Sequence, residues 1–239
     1  HRPMARVVSL TGITTITFDA DDTLWDFESG MLAALGRLRK EIVTLANKSA
    51  RIPTLEEMVA TRMSLGDEPQ NADGTLDALR KEAIRRSAGE AGLTGDRVIE
   101  DLFDMYVTTR VTSTTIYPET IPVLETLKQH FQLGVITNSN TNPAEVGLKG
   151  QFSFAILADS EPFRKPDPRI FLHAASVGEY DLEKSIHVGD SLVTDVAGAN
   201  NAGVTSVWLN HHDESDDRGD LADHTINALS ELPLLLGIA

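Results

Sequence analysis

The sequence predicts an α/β fold, in which a doubly wound, mostly parallel sheet carries an inserted all-helical domain. The first observation is that short β-branched segments alternate with helical patterns over the second half of the chain, which is typical of parallel strands joined by helices. The second is a long stretch, residues 26–113, whose apolar spacing is helical. The third is that polar residues follow the ends of predicted strands, where sheets of this class bind ligands.

The first strand is expected over residues 13–18, because β-branched residues there run directly into acidic ones. A helix follows from about Phe27, since apolar residues recur at three- and four-residue spacing: Met31, Leu32, Leu35, Leu38, Ile42 and Leu45. Residues 75–91 and 97–111 show the same pattern. The predicted domains are a helical cap over 26–113, a core over 4–25 and 114–239, and a non-native remnant over 1–3.

Strands and helices alternate after Pro118. The predicted helices cover residues 119–130, 168–176 and 191–201. The predicted strands cover residues 133–137, 154–157, 185–188 and 204–209, with a short one near 225–226 before a terminal helix. This order predicts parallel pairing in one sheet.

Composition excludes several classes of function. The 239 residues include 36 acidic and 21 basic side chains, so the net charge of −15 argues against a nucleic acid polymer as partner. The absence of cysteine excludes disulfides and thiolate metal sites and fits a reducing compartment. No apolar run approaches the roughly 18 residues of a membrane span, and no signal peptide is visible. We therefore expect a cytoplasmic protein without membrane contact; the sequence predicts no oligomeric state.

Four strand ends deliver polar side chains to one edge of the predicted sheet. They are Asp19-Ala20-Asp21-Asp22-Thr23, Thr137-Asn138-Ser139, Lys165 before Pro166-Asp167-Pro168, and Gly189-Asp190-Ser191 with Asp195 further on. Three carboxylates beside one lysine repel each other unless a cation lies among them. Since the ligands are oxygen atoms, a hard cation is implied, Mg²⁺ first.

This set of side chains suits phosphoryl transfer on a small phosphorylated metabolite. A carboxylate can attack phosphorus and form an acyl phosphate. The metal and the lysine neutralise charge on the transferring group, and a second carboxyl group can protonate the leaving oxygen.

Taken in order, these four motifs are identified as those of the haloacid dehalogenase superfamily. The Asp-x-Asp-x-Thr motif is Asp19 to Thr23, the strand-end Thr is Thr137, the Lys motif is Lys165, and the Gly-Asp motif is Gly189-Asp190 with Asp195. The resemblance implies a Rossmann-like core and a helical C1-type cap that closes over the site. One departure is Pro162-Phe163, where the family often has a Gly shortly before the lysine.

The resemblance also implies a role for each motif residue. Asp19 would attack phosphorus, and Asp21 would act as general acid and base. Mg²⁺ would be bound by Asp19, the backbone carbonyl of Asp21 and Asp190. The phosphate would be held by Thr137, the backbone N–H of Asn138 and Lys165. Asp195 and Thr23 would support these residues without touching the substrate.

The presence of Asp21 favours phosphate ester hydrolysis, because the dehalogenases and phosphonate hydrolases that resemble this chain lack an acidic residue there. Residues 18–25 and Val207-Trp208-Leu209-Asn210-His211-His212 also resemble bacterial pyrimidine 5′-nucleotidases of the superfamily. That likeness implies a nucleoside 5′-monophosphate as substrate, with sugar phosphates and phosphoglycolate as alternatives. Trp25 could contact the substrate by stacking on a base, or pack beside the cap.

Two other classes of function remain open from sequence. A phosphate-accepting signalling protein would also combine Asp, Thr, Lys and Mg²⁺ on a doubly wound sheet, but it would be about half as long, with no helical insertion. A catalytically silent binding protein would not require intact motifs. His187, between Ile186 and Val188, is interpreted as a packed strand residue.

Overall fold

The computed structural model describes residues 10–67, 75–211 and 221–238. The remnant predicted at residues 1–3 and His212 of the nucleotidase-like segment lie outside the described residues. The chain divides into two compact units. The helical unit is Phe27–Thr115, and the core unit comprises the described residues up to Asp26 and from Ile116 onward.

The core unit is built on a six-stranded, fully parallel sheet. Its strands, numbered with two short ones in chain order, are β1 Thr15–Phe18, β2 Trp25–Asp26, β3 Thr115–Ile116, β4 Gln132–Thr137, β5 Phe154–Leu157, β6 Ser185–Gly189, β7 Thr205–Leu209 and β8 His224–Ile226. The sheet order is β5-β4-β1-β6-β7-β8, while β2 and β3 pair separately. The predicted doubly wound α/β class is confirmed.

Strand β1 lies at the centre of the sheet because it can be buried on both faces. All four of its residues are buried, as continuous β-branched and aromatic strands of parallel sheets usually are. Phe18 is in register with Val135 of β4 and with Val188 of β6. The residues that follow these three strands therefore meet at one edge, where the chain order reverses on either side of β1.

The described residues of the helical unit form four helices: α1 Phe27–Leu45, α2 Leu55–Asp67, α3 Leu76–Glu90 and α4 Asp96–Ser113. Their apolar faces form one cluster, which includes Leu35, Leu38, Ile42, Met58 and Tyr106. Helix α2 was not predicted from the sequence. Only Met58 and Leu65 are buried among its described side chains, which is too few for a clear helical period.

Four helices of the core unit complete the fold: α5 Thr120–Leu127, α6 Pro168–Gly178, α7 Ala197–Asn201 and α8 Leu232–Leu235. The helix predicted over 191–201 is instead a π-helical turn, Leu192–Val196, followed by α7. The amides of Asp195 and Val196 both donate to the Ser191 carbonyl, and the side chain of Asp195 is bonded in the site described below. Every described helix is too short or too polar to span a membrane.

Candidate active site

Lys165 lies at the centre of a buried ionic cluster at the carboxyl edge of the sheet. Its Nζ is 2.6 Å from Asp19 Oδ1 and 2.5 Å from Asp195 Oδ1. Carboxylate oxygens of Asp19, Asp190 and Asp195 lie within 4.8 Å of one another. The structure therefore brings together four side chains that the sequence predicted for the site.

The position of Asp19 follows from β1. Its backbone N–H donates to the carbonyl of Val188 at 2.8 Å, so the pairing with β6 continues one residue beyond the strand. Asp190 follows β6 directly, and its Oδ1 accepts a hydrogen bond from Thr23 Oγ1 at 3.3 Å. Thr23 thus bonds Asp190, and its supporting role in the site stays a prediction.

Lys165 is fixed by its main chain as well as by its side chain. The Lys165 N–H donates to Asn138 Oδ1 at 2.8 Å, and Asn138 Nδ2 donates to the Lys165 carbonyl at 2.9 Å. The next residues begin α6, with Asp167 as N-cap and Pro168 in the first turn, where Pro needs no donor. The peptide bond between Lys165 and Pro166 is cis. The loop is therefore held between the end of β4 and the start of α6.

The departure at Pro162-Phe163 does not displace Lys165 from the cluster. The Phe163 ring lies 4.5 Å from the Arg169 guanidinium and packs against the apolar cluster under α6. The loop thus gains apolar contacts at the place where the family often has a glycine.

Asp195 is bonded through both carboxylate oxygens. Oδ1 accepts from Lys165 and lies 3.2 Å from His187 Nε2, while Oδ2 accepts from the Ser191 N–H at 3.0 Å. A Cβ on Gly189 would lie 2.3 Å from Asp195 Cγ, far inside contact distance. Gly189 is therefore the residue that allows Asp195 to approach the end of β6.

Burial and mutual repulsion shift the pKa values of the cluster. Burial raises the pKa of Asp19 to about 8; Lys165 opposes this, and the charges of Asp195 and Asp190 add to it. Burial, then Asp195 and Asp22, raise the pKa of Asp190 to about 7. Without a cation, protons therefore neutralise Asp19 and Asp190 near neutral pH, whereas a bound cation would favour their ionised forms.

Two further shifts concern the Lys165 contacts. Burial by itself would raise the pKa of Asp195, but the Lys165 charge and the His187 hydrogen bond outweigh it and hold that pKa below its usual range. Burial lowers the pKa of Lys165, yet Asp19 and Asp195 together raise it. Lys165 is therefore a permanent ammonium group, shared between two carboxylates.

The residues present fit Mg²⁺. Both oxygens of Asp195 are already hydrogen-bonded, so Asp19 and Asp190 are the carboxylates of the cluster that remain to bind a metal. Both ring nitrogens of His187 are engaged as well. The remaining donors are oxygen atoms, which hard divalent cations prefer.

Asp21 and Trp25 close a tight turn after β1. The Trp25 indole N–H donates to Asp21 Oδ1 at 2.8 Å, and the Asp22 N–H donates to the Trp25 carbonyl at 2.8 Å. Asp22 adopts φ 58°, a left-handed conformation that Asp tolerates in turns. Trp25 is 1% exposed, so its ring offers no face on which a base could stack. Of the two alternatives that the sequence left open for Trp25, the structure favours packing, in which Trp25 fills the turn and holds Asp21.

Thr137 and Asn138 stand at the end of β4, beside β1. The Thr137 hydroxyl accepts a hydrogen bond from the Ser139 N–H at 3.1 Å, and a hydroxyl that accepts one bond can still donate its own proton. The Asn138 side chain binds the Lys165 main chain, a function that the sequence analysis missed. A strand-end Asn carries no local signal for a partner 27 residues further on.

Trp208 is a second residue whose place in the site was missed. Its indole N–H donates to the carbonyl of Asp190 at 2.8 Å and so fixes the main chain that follows β6. Trp208 is in register with Gly189, which was the available signal: a donor-bearing side chain on the strand next to the Gly-Asp motif.

One edge of the parallel sheet thus carries an Asp-x-Asp turn, a buried lysine, and the carboxylates of Asp190 and Asp195 next to Gly189, as the four sequence motifs predicted. The profile of the haloacid dehalogenase-like hydrolases matches residues 13–203. The chain belongs to this family, and the resemblance predicted from its motifs is confirmed.

Two proteins of Escherichia coli are similar to this chain in sequence over most of its length. Pyrimidine 5′-nucleotidase YjjG of Escherichia coli (strain K12) is 26% identical over 228 residues, 92% of this chain and 96% of that protein. The 5-amino-6-(5-phospho-D-ribitylamino)uracil phosphatase YigB of the same organism is 26% identical over 214 residues, 87% and 86% of the two chains. A solved structure named 2-haloacid dehalogenase, from Pseudomonas syringae pv. Tomato DC3000, is 35% identical with a TM-score of 0.81, covering 94% of this chain and 98% of that one.

Proposed function

We propose that the protein hydrolyses small phosphomonoesters through a phosphorylated Asp19, with Mg²⁺ as cofactor. The observation that carries this proposal is the buried ammonium of Lys165 bonded to Asp19 Oδ1, beside the carboxylates of Asp190 and Asp195. Such a cluster combines a carboxylate nucleophile with fixed positive charge for a transferring phosphoryl group.

In the first step, Asp19 attacks phosphorus. Because Lys165 is bonded to Oδ1, Oδ2 is the oxygen that forms the new bond. The bond from phosphorus to the ester oxygen breaks, and Asp21 gives its proton to the leaving alkoxide. The Trp25 indole holds Asp21 Oδ1, so Oδ2 carries the proton that is transferred.

In the second step, water replaces Asp19 on phosphorus. Asp21, now ionised, takes a proton from the water as its oxygen attacks, and the bond from phosphorus to Asp19 breaks. Inorganic phosphate leaves, and both aspartates return to their starting states. The phosphoryl oxygens are stabilised during both steps by Lys165, the Thr137 hydroxyl and the backbone N–H of Asn138.

Asp19, Asp190 and the Asp21 carbonyl would hold the magnesium ion. Bound there, Mg²⁺ would supply positive charge that offsets the carboxylates and polarises the phosphoryl oxygens. The raised pKa values of Asp19 and Asp190 support this assignment, because both groups become easier to ionise beside a cation.

The leading substrate class is a nucleoside 5′-monophosphate, with sugar phosphates and phosphoglycolate as alternatives. The names of two relatives, a pyrimidine 5′-nucleotidase and a uracil-derivative phosphatase, both describe phosphates that carry a pyrimidine ring. The helical unit stands where the superfamily inserts its cap in the chain, and we assign the choice of leaving group to it.

Dehalogenation of 2-haloacids is the second candidate, because the structural neighbour at 35% identity has that name. Asp21 favours the phosphatase. A departing halide needs no proton, whereas the alkoxide of a phosphate ester does, and Asp21 supplies an acid at the required position in the motif.

The test is release of phosphate from pyrimidine and purine monophosphates, sugar phosphates and phosphoglycolate, with Mg²⁺ or with a chelator. Halide release from 2-chloropropionate is measured in parallel. The variant Asp19→Asn should lose turnover by a factor of about 10⁴ or more. The exposed Asp181→Asn makes the same chemical change in the core unit, before the start of β6 and so at the opposite edge of the sheet, and should be unaffected.

Chelator-sensitive turnover of pyrimidine monophosphates would support both the Mg²⁺-dependent hydrolysis and the nucleotide substrate. Turnover spread over sugar phosphates would support the hydrolysis but not the nucleotide substrate. Halide release without phosphate release would replace it with the second candidate. In a further variant, Asp21→Asn, kcat/KM should fall far more for a nucleotide than for p-nitrophenyl phosphate, because kcat/KM reports the first step and the leaving phenolate needs no proton.

A further inference from the structure

His187 is a buried histidine that the proposed chemistry does not use directly. It lies on β6 and is 1% exposed. Its Nδ1 is 2.9 Å from Thr17 Oγ1, its Nε2 is 3.2 Å from Asp195 Oδ1, and its ring meets Phe171 edge to face at 5.0 Å. The packing that the sequence analysis expected is thus joined by two polar contacts.

The partners of His187 decide where its proton lies. An ionised carboxylate can only accept, so Nε2–H must donate to Asp195 Oδ1. In the neutral ring Nδ1 then accepts from the Thr17 hydroxyl at 2.9 Å, and the Ile186 carbonyl at 3.2 Å is a second, longer acceptor for the same proton. The hydrogen bonds run from Thr17 to His187 and from His187 to Asp195.

This chain continues to the nucleophile. Asp195 accepts from three donors, which are His187, Lys165 and the Ser191 N–H, and together they fix the plane of its carboxylate. Asp195 in turn sets the place of Lys165 Nζ, which also bonds Asp19. With the His187 donor removed, Asp195 Oδ1 depends on Lys165 alone and can draw the ammonium away from Asp19.

We propose that Thr17 and His187 form a positioning pair, which holds Asp195 and through it keeps Lys165 against Asp19. The inference rests on the proposed function, since Asp19 must be the nucleophile for the pair to affect turnover. Groups that orient the residues around a catalytic centre commonly change activity by about 10–100-fold when they are removed.

The kinetic test compares His187→Leu, His187→Gln and Thr17→Val, using p-nitrophenyl phosphate with Mg²⁺. His187→Leu keeps an apolar side chain but no donor, and its kcat should fall about 10–100-fold with KM changed less than about 3-fold. His187→Gln restores an N–H toward Asp195 and should recover most of the loss. Thr17→Val should have the smallest effect, and the half-exposed His173→Leu should have none.

Wild-type kcat in His187→Leu would overturn the inference, while leaving the proposed function standing. The inference would also be overturned if His187→Gln and His187→Leu had the same kcat and the same melting temperature. A purely structural role for His187 predicts that result. If wild-type protein releases no phosphate from any substrate, the proposed function is wrong, and the kinetic part of this inference is wrong with it.

A second measurement decides the hydrogen-bond pattern without any turnover. The ¹⁵N and ¹H resonances of the His187 ring, assigned through its contact with Phe171, should show a neutral ring protonated at Nε2 near about pH 7.5. Thr17→Val should shift the Nδ1 resonance. A ring protonated at Nδ1, or a doubly protonated ring that donates to Thr17, would overturn the inference even if no variant folds well enough for kinetics.

Discussion

The interiors of the core unit and the helical unit bury different kinds of side chain. Under the carboxyl edge of the core sheet, Asp19, Lys165, His187 and Asp195 form one network with carboxylate, ammonium and imidazole partners. The helical unit packs one large apolar cluster drawn from its helices, and it also buries the polar side chains of Arg80, Ser87 and Arg110. The identity of a buried residue is thus set by chemistry at the sheet edge, and by size and shape within the apolar cluster.

Glycines show the same difference. A Cβ on Gly189 would collide with Asp195, whereas a Cβ on Gly36, within α1, would meet nothing within 4 Å. The same substitution therefore has opposite expected consequences at these two positions.

The largest effect is expected for Lys165→Met. Loss of the ammonium removes the fixed positive charge beside Asp19, so kcat/KM should fall by about 10²–10³-fold or more. The free energy of unfolding should drop by about 3–5 kcal/mol, because Asp19 and Asp195 lose their shared partner. Steady-state kinetics and urea denaturation measure the two losses. The control is Lys184→Met, whose side chain is 59% exposed; comparable losses in both variants would contradict a special role for Lys165.

Gly189→Ala comes next. The added methyl group must push the Asp195 carboxylate away from β6, which disturbs its bonds to Lys165 and Ser191. We expect kcat to fall about 10–100-fold and the free energy of unfolding to drop by about 1–3 kcal/mol. Kinetics and denaturation of purified protein test this. Normal activity in Gly189→Ala would mean that Asp195 tolerates displacement, and the contrast between the two units would be lost.

The pH dependence of metal binding gives a smaller, graded effect. Asp19 and Asp190 have folded pKa values of about 8 and about 7, above their ordinary value of 3.8. The stability they contribute to metal-free protein is therefore complete below about pH 4 and lost as the pH rises through about 7 to 8. A divalent cation favours the ionised forms, so Mg²⁺ should raise the melting temperature more at about pH 8 than at about pH 5.5.

Thermal melting with Mg²⁺ or with a chelator, at both pH values, measures this effect. Asp190→Asn removes one carboxylate of the cluster and should abolish most of the Mg²⁺-dependent increase at the higher pH. Equal stabilisation by Mg²⁺ at both pH values would count against a metal held by these two groups.

Strand ends were predictable because their signals are local. β1 and β6 are short apolar segments that run into Asp19 and Asp190, and the sequence placed both strands within two residues. The roles of these aspartates in turnover remain predictions. The Asn138 and His187 hydrogen bonds were not predictable, since each joins separate strands or loops, and the Trp208 hydrogen bond would have required the register of β7 against β6. In the helical unit, periodicity indicated α1, α3 and α4 but missed the weakly buried α2.

Gly36→Ala carries the smallest expected effect and the opposite sign from Gly189→Ala. Gly36 lies inside α1 with open space around the site of its Cβ, and alanine loses less backbone entropy in a helix. The helical unit should therefore gain about 0.5–1 kcal/mol, measured by denaturation, with turnover unchanged. Gly30→Ala in the same helix is the matched control, because its Cβ would lie 2.8 Å from Thr114 Oγ1 and should destabilise the unit. If both substitutions stabilise, the close approach at Gly30 is tolerated, and the helical interior is more adaptable than its packing indicates.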